Sequence, residues 1–177
     1  ADHLARHYDY DRIEPLDRDG MATALGSAAY AGGDLDHGAG HLQPLDLACG
    51  LARLAQAAGA RIHEMSEVLR IDHGRAGGKS SVHCAQGHVI ADHVILAANG
   101  YLGDLDGHVA ARVMPINNYI VATEPLGDRA PEILPGNIAV ADTKFVVNYW
   151  RMDPDRRLIF GGGETITYRF PRDIEGV

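Results

Sequence analysis

The sequence predicts an α+β protein, with an α/β portion that contains parallel-sheet elements and a separate antiparallel sheet. Three observations carry this. Leu47, Leu51, Leu54, Ala55 and Ala58 recur at helical spacing, which places them along one face of a helix. Val94 to Ala98 form a continuous apolar run, the pattern of a strand buried on both faces in a parallel sheet. Beyond Pro115 the chain turns to short β-rich runs divided by Pro, Gly and Asp, as in an antiparallel sheet.

Taken in order, Asp2 to Asp11 predict an exposed helix or arm. Pro15 is expected to break the chain, and Asp17 to cap a short helix running through Leu25. Ser27 to Asp36 is small and interrupted by glycine, which predicts a weak, bent strand. Pro44 suits a first helical turn, where its missing N–H is no loss, and Gly59 a C-terminal stop. The apolar stripe between them is expected to face a core. Ala60 to Met65 alternate like a short strand, so a helix-then-strand unit is predicted. Val68–Ile71 and Ser80–Cys84 read as strands of a small meander with turns at Gly77-Gly78 and Gln86-Gly87. Ile116–Thr123, Ile138–Ala141, Lys144–Arg151 and Arg157–Gly161 read as the later strands. Met152-Asp153-Pro154-Asp155 is a turn that makes a hairpin of the last two. The segment from Thr165 to Val177 carries no terminating signal.

Composition narrows the function. The 177 residues suffice for one core or two small ones sharing an interface. The net charge of −8 and the scattered basic residues oppose nucleic-acid binding. No run approaches the roughly 18 apolar residues that cross a bilayer, and no signal peptide opens the chain. The expected setting is therefore soluble, without a membrane partner, and cytoplasmic. A start without Met suggests a processed or excised piece. Cys49 and Cys84 lack ligand spacing and are expected to be buried thiols. Among ten histidines, His3/His7 and His37/His41 have i, i+4 spacing, but no HExxH glutamate accompanies them. No metal site is expected.

Three glycine-rich places invite a dinucleotide reading. Gly38-Ala39-Gly40 is followed by Gln43 where a third glycine is needed. Gly161-Gly162-Gly163 follows a strand but opens no helix. Neither offers the strand–turn–helix context that rests a phosphate on a helix N-terminus. Ala97-Ala98-Asn99-Gly100 is stronger, because small residues at the carboxyl end of a buried strand let backbone approach a cofactor. The alternative is an Asn-Gly hairpin turn, although Tyr101 to Gly107 does not resemble a second strand.

In order, the segments are Gly40-His41-Leu42-Gln43-Pro44, an amphipathic helix, Gly59-Ala60-Arg61-Ile62, Glu64-x-Ser66-x-Val68 and Val94 to Leu102. Met114-Pro115, Ala122 to Leu126, Tyr149-x-Arg151 and Arg157 to Gly163 follow. This succession resembles the glycine/D-amino-acid oxidase (DAO) superfamily of FAD-dependent flavoproteins, and most closely its gamma-glutamylputrescine oxidase-like branch. The likeness is best over Leu16 to Gly163. It implies an FAD domain interleaved with a substrate domain built on an antiparallel sheet. By that analogy residues 37–107 form the middle of the FAD domain, and residues 1–36 and 108–177 belong to the substrate domain. The resemblance implies that Val68 offers backbone to the adenine, and that Ala97, Ala98, Asn99 and Gly100 lie by the flavin and pyrophosphate. Tyr149 and Arg151, two apart on a strand and so on one face, are implied near a small-molecule amine or amino-acid substrate. An exposed sheet pair is the competing reading.

The sequence thus reads as an internal portion of an FAD-dependent amine or amino-acid oxidase. Hydride moves from the amine-bearing carbon to flavin, giving an imine, and O2 takes the electrons. No catalytic residue is singled out, because the cofactor supplies the chemistry. The alternatives are a dehydrogenase of the same fold with another acceptor, and a non-enzymatic α+β binding domain. The superfamily's GxGxxG turn and its late glycine-rich flavin segment are not among these residues. Purified residues 1–177 are accordingly expected to be colourless and inactive. A stoichiometric flavin absorbance surviving desalting would contradict this.

Overall fold

The computed structural model describes residues 1–75, 77–114 and 116–165. They form two compact units, one from Ala1–Ala48 with Asn118–Glu164, the other chiefly from Cys49–Asn117. The chain enters the first unit, leaves for the second and returns. The architecture mixes helices with antiparallel strand pairs, as the α+β expectation requires.

The first unit begins with an exposed helix, α1 (Asp2–Tyr8), ended by Asp9 in the left-handed region. Strands β1 (Ile13–Asp17) and β2 (Gly32–Asp36) pair antiparallel, Ile13 opposite Asp36 and Asp17 opposite Gly32. Pro15 lies inside β1 and does not break it. In a two-stranded ribbon each strand keeps an open edge, where a residue without N–H is tolerated. β2 is shorter than expected because only Gly32 onward pairs. Between them runs α2 (Arg18–Leu25), capped by Asp17, whose Oδ1 accepts the Gly20 N–H at 2.9 Å.

Helix α3 (Pro44–Ala57) forms as its periodicity predicts, and Gly59 beyond it takes φ 94°. Its stripe is not buried: Leu47, Leu51 and Leu54 are 47%, 56% and 68% exposed. Periodicity specifies an apolar face but not the element that covers it. Cys49 on the same helix is exposed too, contrary to expectation. Ala60–Met65 forms no strand, and Met65 has φ 52°.

In the second unit β3 (Val68–Asp72), β4 (Ser80–Cys84) and β5 (Gly87–Ala91) make an antiparallel meander. A register shift between Val68 and Arg70 lets the two residues face opposite ways, so the meander has an apolar face with Val68, Val82, Cys84 and Val89. Arg70, His83 and His88 occupy the other face, where Asp72 bridges Arg70 at 3.0 Å and His83 at 2.9 Å. The run Val94–Ala98 is the largest departure. It is not a strand, and Ile95 is 88% exposed. An apolar run becomes a buried strand only when strands flank it, and none of the meander strands pairs with it. Downstream, Leu102 is buried, and Asp106 Oδ1 accepts the His108 and Val109 N–H groups to start α4 (Gly107–Ala110). Those bonds, Val109's first, hold the Asp106 carboxyl below its ordinary value.

The chain returns to the first unit through β6 (Asn117–Ala122), α5 (Ala130–Ile133), β7 (Val140–Ala141), β8 (Tyr149–Met152) and β9 (Leu158–Thr165). The sheet order is β6-β9-β8-β7. The predicted hairpin is present as β8–β9, antiparallel, with Arg151 opposite Ile159. The predicted strand from Lys144 starts only at Tyr149. Asp142 instead gathers the N–H groups of Lys144 and Asn148 and the Asn148 amide into a loop. Burial raises the Asp142 pKa, yet those bonds outweigh it and the net direction is downward. Gly161 to Gly163 lie within β9 and not after it. Tyr30, Trp150 and Phe160 stack in series at 5.9 and 5.8 Å. Pro115 and the expected unterminated segment after Thr165 lie outside the described residues.

The most buried apolar side chains of this unit are Leu25, Ala130 and Leu134. Gly26 joins their helices closely: it has φ 63°, and a Cβ there would stand 2.7 Å from the Glu132 carbonyl oxygen. Gly26→Ala should therefore destabilise the unit by about 1–3 kcal/mol, through left-handed strain plus that backbone clash. Urea unfolding of the two proteins measures it.

Candidate functional site

The hairpin turn positions the cation of the site. Asp153 N–H donates to the Arg157 carbonyl at 3.0 Å, and Arg156, with φ 59°, donates back to the Asp153 carbonyl at 3.1 Å. Asp153 Oδ1 also accepts the Arg157 N–H at 2.8 Å. Turn geometry fixes hairpin register, and that register puts Arg151 on the wall of a pocket of about 440 Å³. The other walls come from His41, Leu42 and Gln43, just before α3, and from Asn137.

The charges in this pocket are unbalanced. Arg151 Nη1 donates only to the Met152 carbonyl, at 3.4 Å, and among the described residues no carboxylate forms an ion pair with it. Asp153 is the one lining carboxylate, but its side chain is 10% exposed and turned to Arg157. His41 Nε2 stands 3.4 Å from the Asn137 carbonyl oxygen. A half-buried guanidinium with no carboxylate partner among the described residues, an imidazole and an amide form a donor set for a carboxylate. A second cavity of this unit, about 330 Å³ along β2 and β7, has the opposite character. Asp34 and Asp142 line it, with no Lys, Arg or His.

Tyr149 shares the Arg151 side of β8 by alternation but does not line the Arg151 pocket. Its hydroxyl donates to Asn118 Oδ1 at 2.5 Å, and its ring covers Gly161, the residue opposite. The structure therefore separates the two residues that the sequence paired.

In the second unit Val68 opens β3 and lines a pocket of about 450 Å³ with Ser66, Val82, Cys84 and Val89. None of Ala97 to Gly100 lines it. Those four residues form a turn of their own, in which Tyr101 N–H donates to the Ala98 carbonyl at 3.0 Å. Asn99, and not Gly100, takes the positive φ of this turn, at 50°. Asn tolerates that region because its short polar side chain adapts to it. Ala97 and Asn99 are exposed, and Ala98 and Gly100 are half-buried.

Sequence reasoning missed His41 as a pocket residue and weighed it only with His37. His37 bonds Glu14 Oε2 at 2.8 Å in the turn after β2, and His3 and His7 stack at 4.5 Å on α1. Among the described residues no group of three or more His, Cys, Asp or Glu is disposed to hold a metal ion, and no helix is long and apolar enough to cross a membrane. No local spacing signal marked His41 as a pocket residue, because its neighbours in the pocket come from distant stretches of the chain.

Comparison with known proteins places this architecture among flavoproteins. Glycine oxidase from Geobacillus kaustophilus shares the fold, with a TM-score of 0.67 at 24% identity over 95% of this chain and 45% of that one. Residues 1–176 match the family of FAD dependent oxidoreductases (DAO), and the chain belongs to that family, whose cofactor is FAD. It is 42% identical over 171 residues to a probable oxidoreductase OrdL of Rhizobium meliloti (strain 1021), covering 97% of this chain. It is 37% identical over 170 residues to the gamma-glutamylputrescine oxidoreductase of Escherichia coli (strain K12), covering 95%. The chain spans 39% of the length of each of these two relatives.

Proposed function

We propose that the full-length protein oxidises an amine or amino acid at the carbon bearing the amino group, with O2 as the final acceptor. The observation that carries the substrate side is the unpaired Arg151 guanidinium in its pocket. The family membership supports the redox side. FAD, when bound, supplies the acceptor for the substrate's hydride and the route of the electrons to O2. The substrate loses two electrons and protons to become an imine, which water hydrolyses to a carbonyl compound and ammonia or an amine.

This chain's residues bind and orient. In this reading residues 37–107 serve the cofactor, apart from the His41–Gln43 stretch that lines the Arg151 pocket, and residues 1–36 and 108–177 serve the substrate. The Val68 backbone meets the adenine, and the open turn of Ala97, Ala98, Asn99 and Gly100 lets backbone approach the flavin and pyrophosphate. Arg151 takes a substrate carboxylate through paired, charge-assisted hydrogen bonds, with Tyr149 flanking the same sheet face. The name of the Escherichia coli relative fits this arrangement, since a gamma-glutamyl group carries a carboxylate.

Anaerobic mixing of the FAD-loaded full-length protein with a panel of amines, amino acids and gamma-glutamyl amines tests the reading. At least one class should bleach the flavin, and air should restore it with O2 uptake. A panel that leaves the flavin oxidised overturns the proposal. Arg151→Met should raise KM for the bleaching substrate roughly 10–100-fold, the loss of about 1.5–3 kcal/mol of charge-assisted binding. A change within about twofold would make Arg151 a surface group. Asn99→Val forces a β-branched residue to positive φ at a cost of about 1–3 kcal/mol. It should lower flavin content in the purified full-length protein, whereas Asn99→Gly should retain it.

A further inference from the structure

We propose that His41 is the second arm of a carboxylate clamp, holding the anion opposite Arg151 as an imidazolium. Calling the anion the substrate rests on the function proposed above; the clamp itself does not. Residues from three separate stretches of the first unit converge on one pocket: His41 and Gln43 before α3, Asn137 before β7, and Arg151 on β8. Each can donate from its side chain, and Leu42, Met152 and Pro154 fill in between.

The charged groups facing His41 are few. Arg151 and Asp153 come from the hairpin, and the Asn137 and Gln43 stretches contribute none to the pocket lining. Asp153 is occupied by the Arg157 N–H at 2.8 Å and the Arg157 guanidinium at 3.9 Å. Glu14, on β1, is taken by His37 at 2.8 Å. Among the described residues no carboxylate is committed to either group, so a protonated His41 meets a cation. That arrangement is unfavourable when empty and is relieved by an incoming anion. His41 holds only a 3.4 Å contact to the Asn137 carbonyl oxygen, so little is given up when a carboxylate takes its proton-bearing nitrogen.

Binding and protonation are then linked, and linkage is reciprocal. As pH rises and the imidazolium is lost, affinity for a carboxylate should fall by up to about tenfold per pH unit. A neutral ligand of the same shape should show no such slope. The chemical class selected is an amine that also carries a carboxylate, with discrimination strongest on the acid side of neutrality.

Calorimetry of the FAD-loaded full-length protein with glutarate, and with glutaramide as the uncharged control, from pH 5.5 to 8 tests the clamp. The wild type should bind glutarate more weakly as pH rises, and glutaramide weakly at every pH. His41→Gln should bind glutarate several-fold more weakly at pH 5.5 and lose the slope, while Arg151→Met should abolish glutarate binding. A pH-independent wild type, a slope that survives in His41→Gln, or glutarate binding indifferent to Arg151→Met overturns the proposal. Should His41→Gln not fold, the His41 ring proton followed by NMR gives the same decision. Glutarate must shift its titration upward, and an unmoved titration rejects the clamp. Flavin bleaching by amines is scored separately, so failure of the clamp is distinct from failure of the redox reading.

Discussion

The β8–β9 turn is the constraint on which the candidate site depends. Asp153 contributes backbone N–H, backbone carbonyl and side-chain oxygen to the same four-residue reversal, all within 3.1 Å of their partners. A one-residue slip in that register would send Arg151 to the opposite sheet face and bring Trp150 in its place. It would also break the Tyr30–Trp150–Phe160 stack, because Trp150 holds its place between the other two rings. The same residue that locks the turn also withdraws the one carboxylate of the pocket from Arg151. The turn register and the pocket's charge both run through Asp153, the first mainly by its backbone and the second by its side chain.

The second unit shows the converse economy. Its meander settles its own polar face, with Asp72 shared between Arg70 and His83, and leaves an apolar face for the pocket that includes Val68. The Ala97–Gly100 segment closes on the bond from Tyr101 N–H to the Ala98 carbonyl.

What was legible in the sequence follows the range of each signal. Local chemistry was read well: Asp17 as a cap, Pro44 and Gly59 as helix limits, and Met152–Asp155 as a turn depend on residues within a few positions. Signals that require a distant partner were read less well. Val94–Ala98 and the α3 stripe have the composition of buried elements, but composition does not say what lies against them. Pro15 misled because its effect depends on whether a strand has an open edge. At the site, alternation along β8 identified Arg151 and Tyr149 as sharing a side. It did not show that Asn118 engages the Tyr149 hydroxyl, or that His41, more than a hundred positions earlier, would line the Arg151 pocket. Such convergence is a property of the fold and not of spacing.

The contact between Tyr149 and Gly161 has a consequence for how this sequence can drift. The ring occupies the space that any side chain at 161 would need, and through its hydroxyl it reaches Asn118 on the far side of β9. The two positions therefore share one volume. A lineage that acquires a side chain at 161 must either turn the 149 ring aside or shrink it, and both give up the link to β6. Positions 149 and 161 should therefore covary in size among descendants.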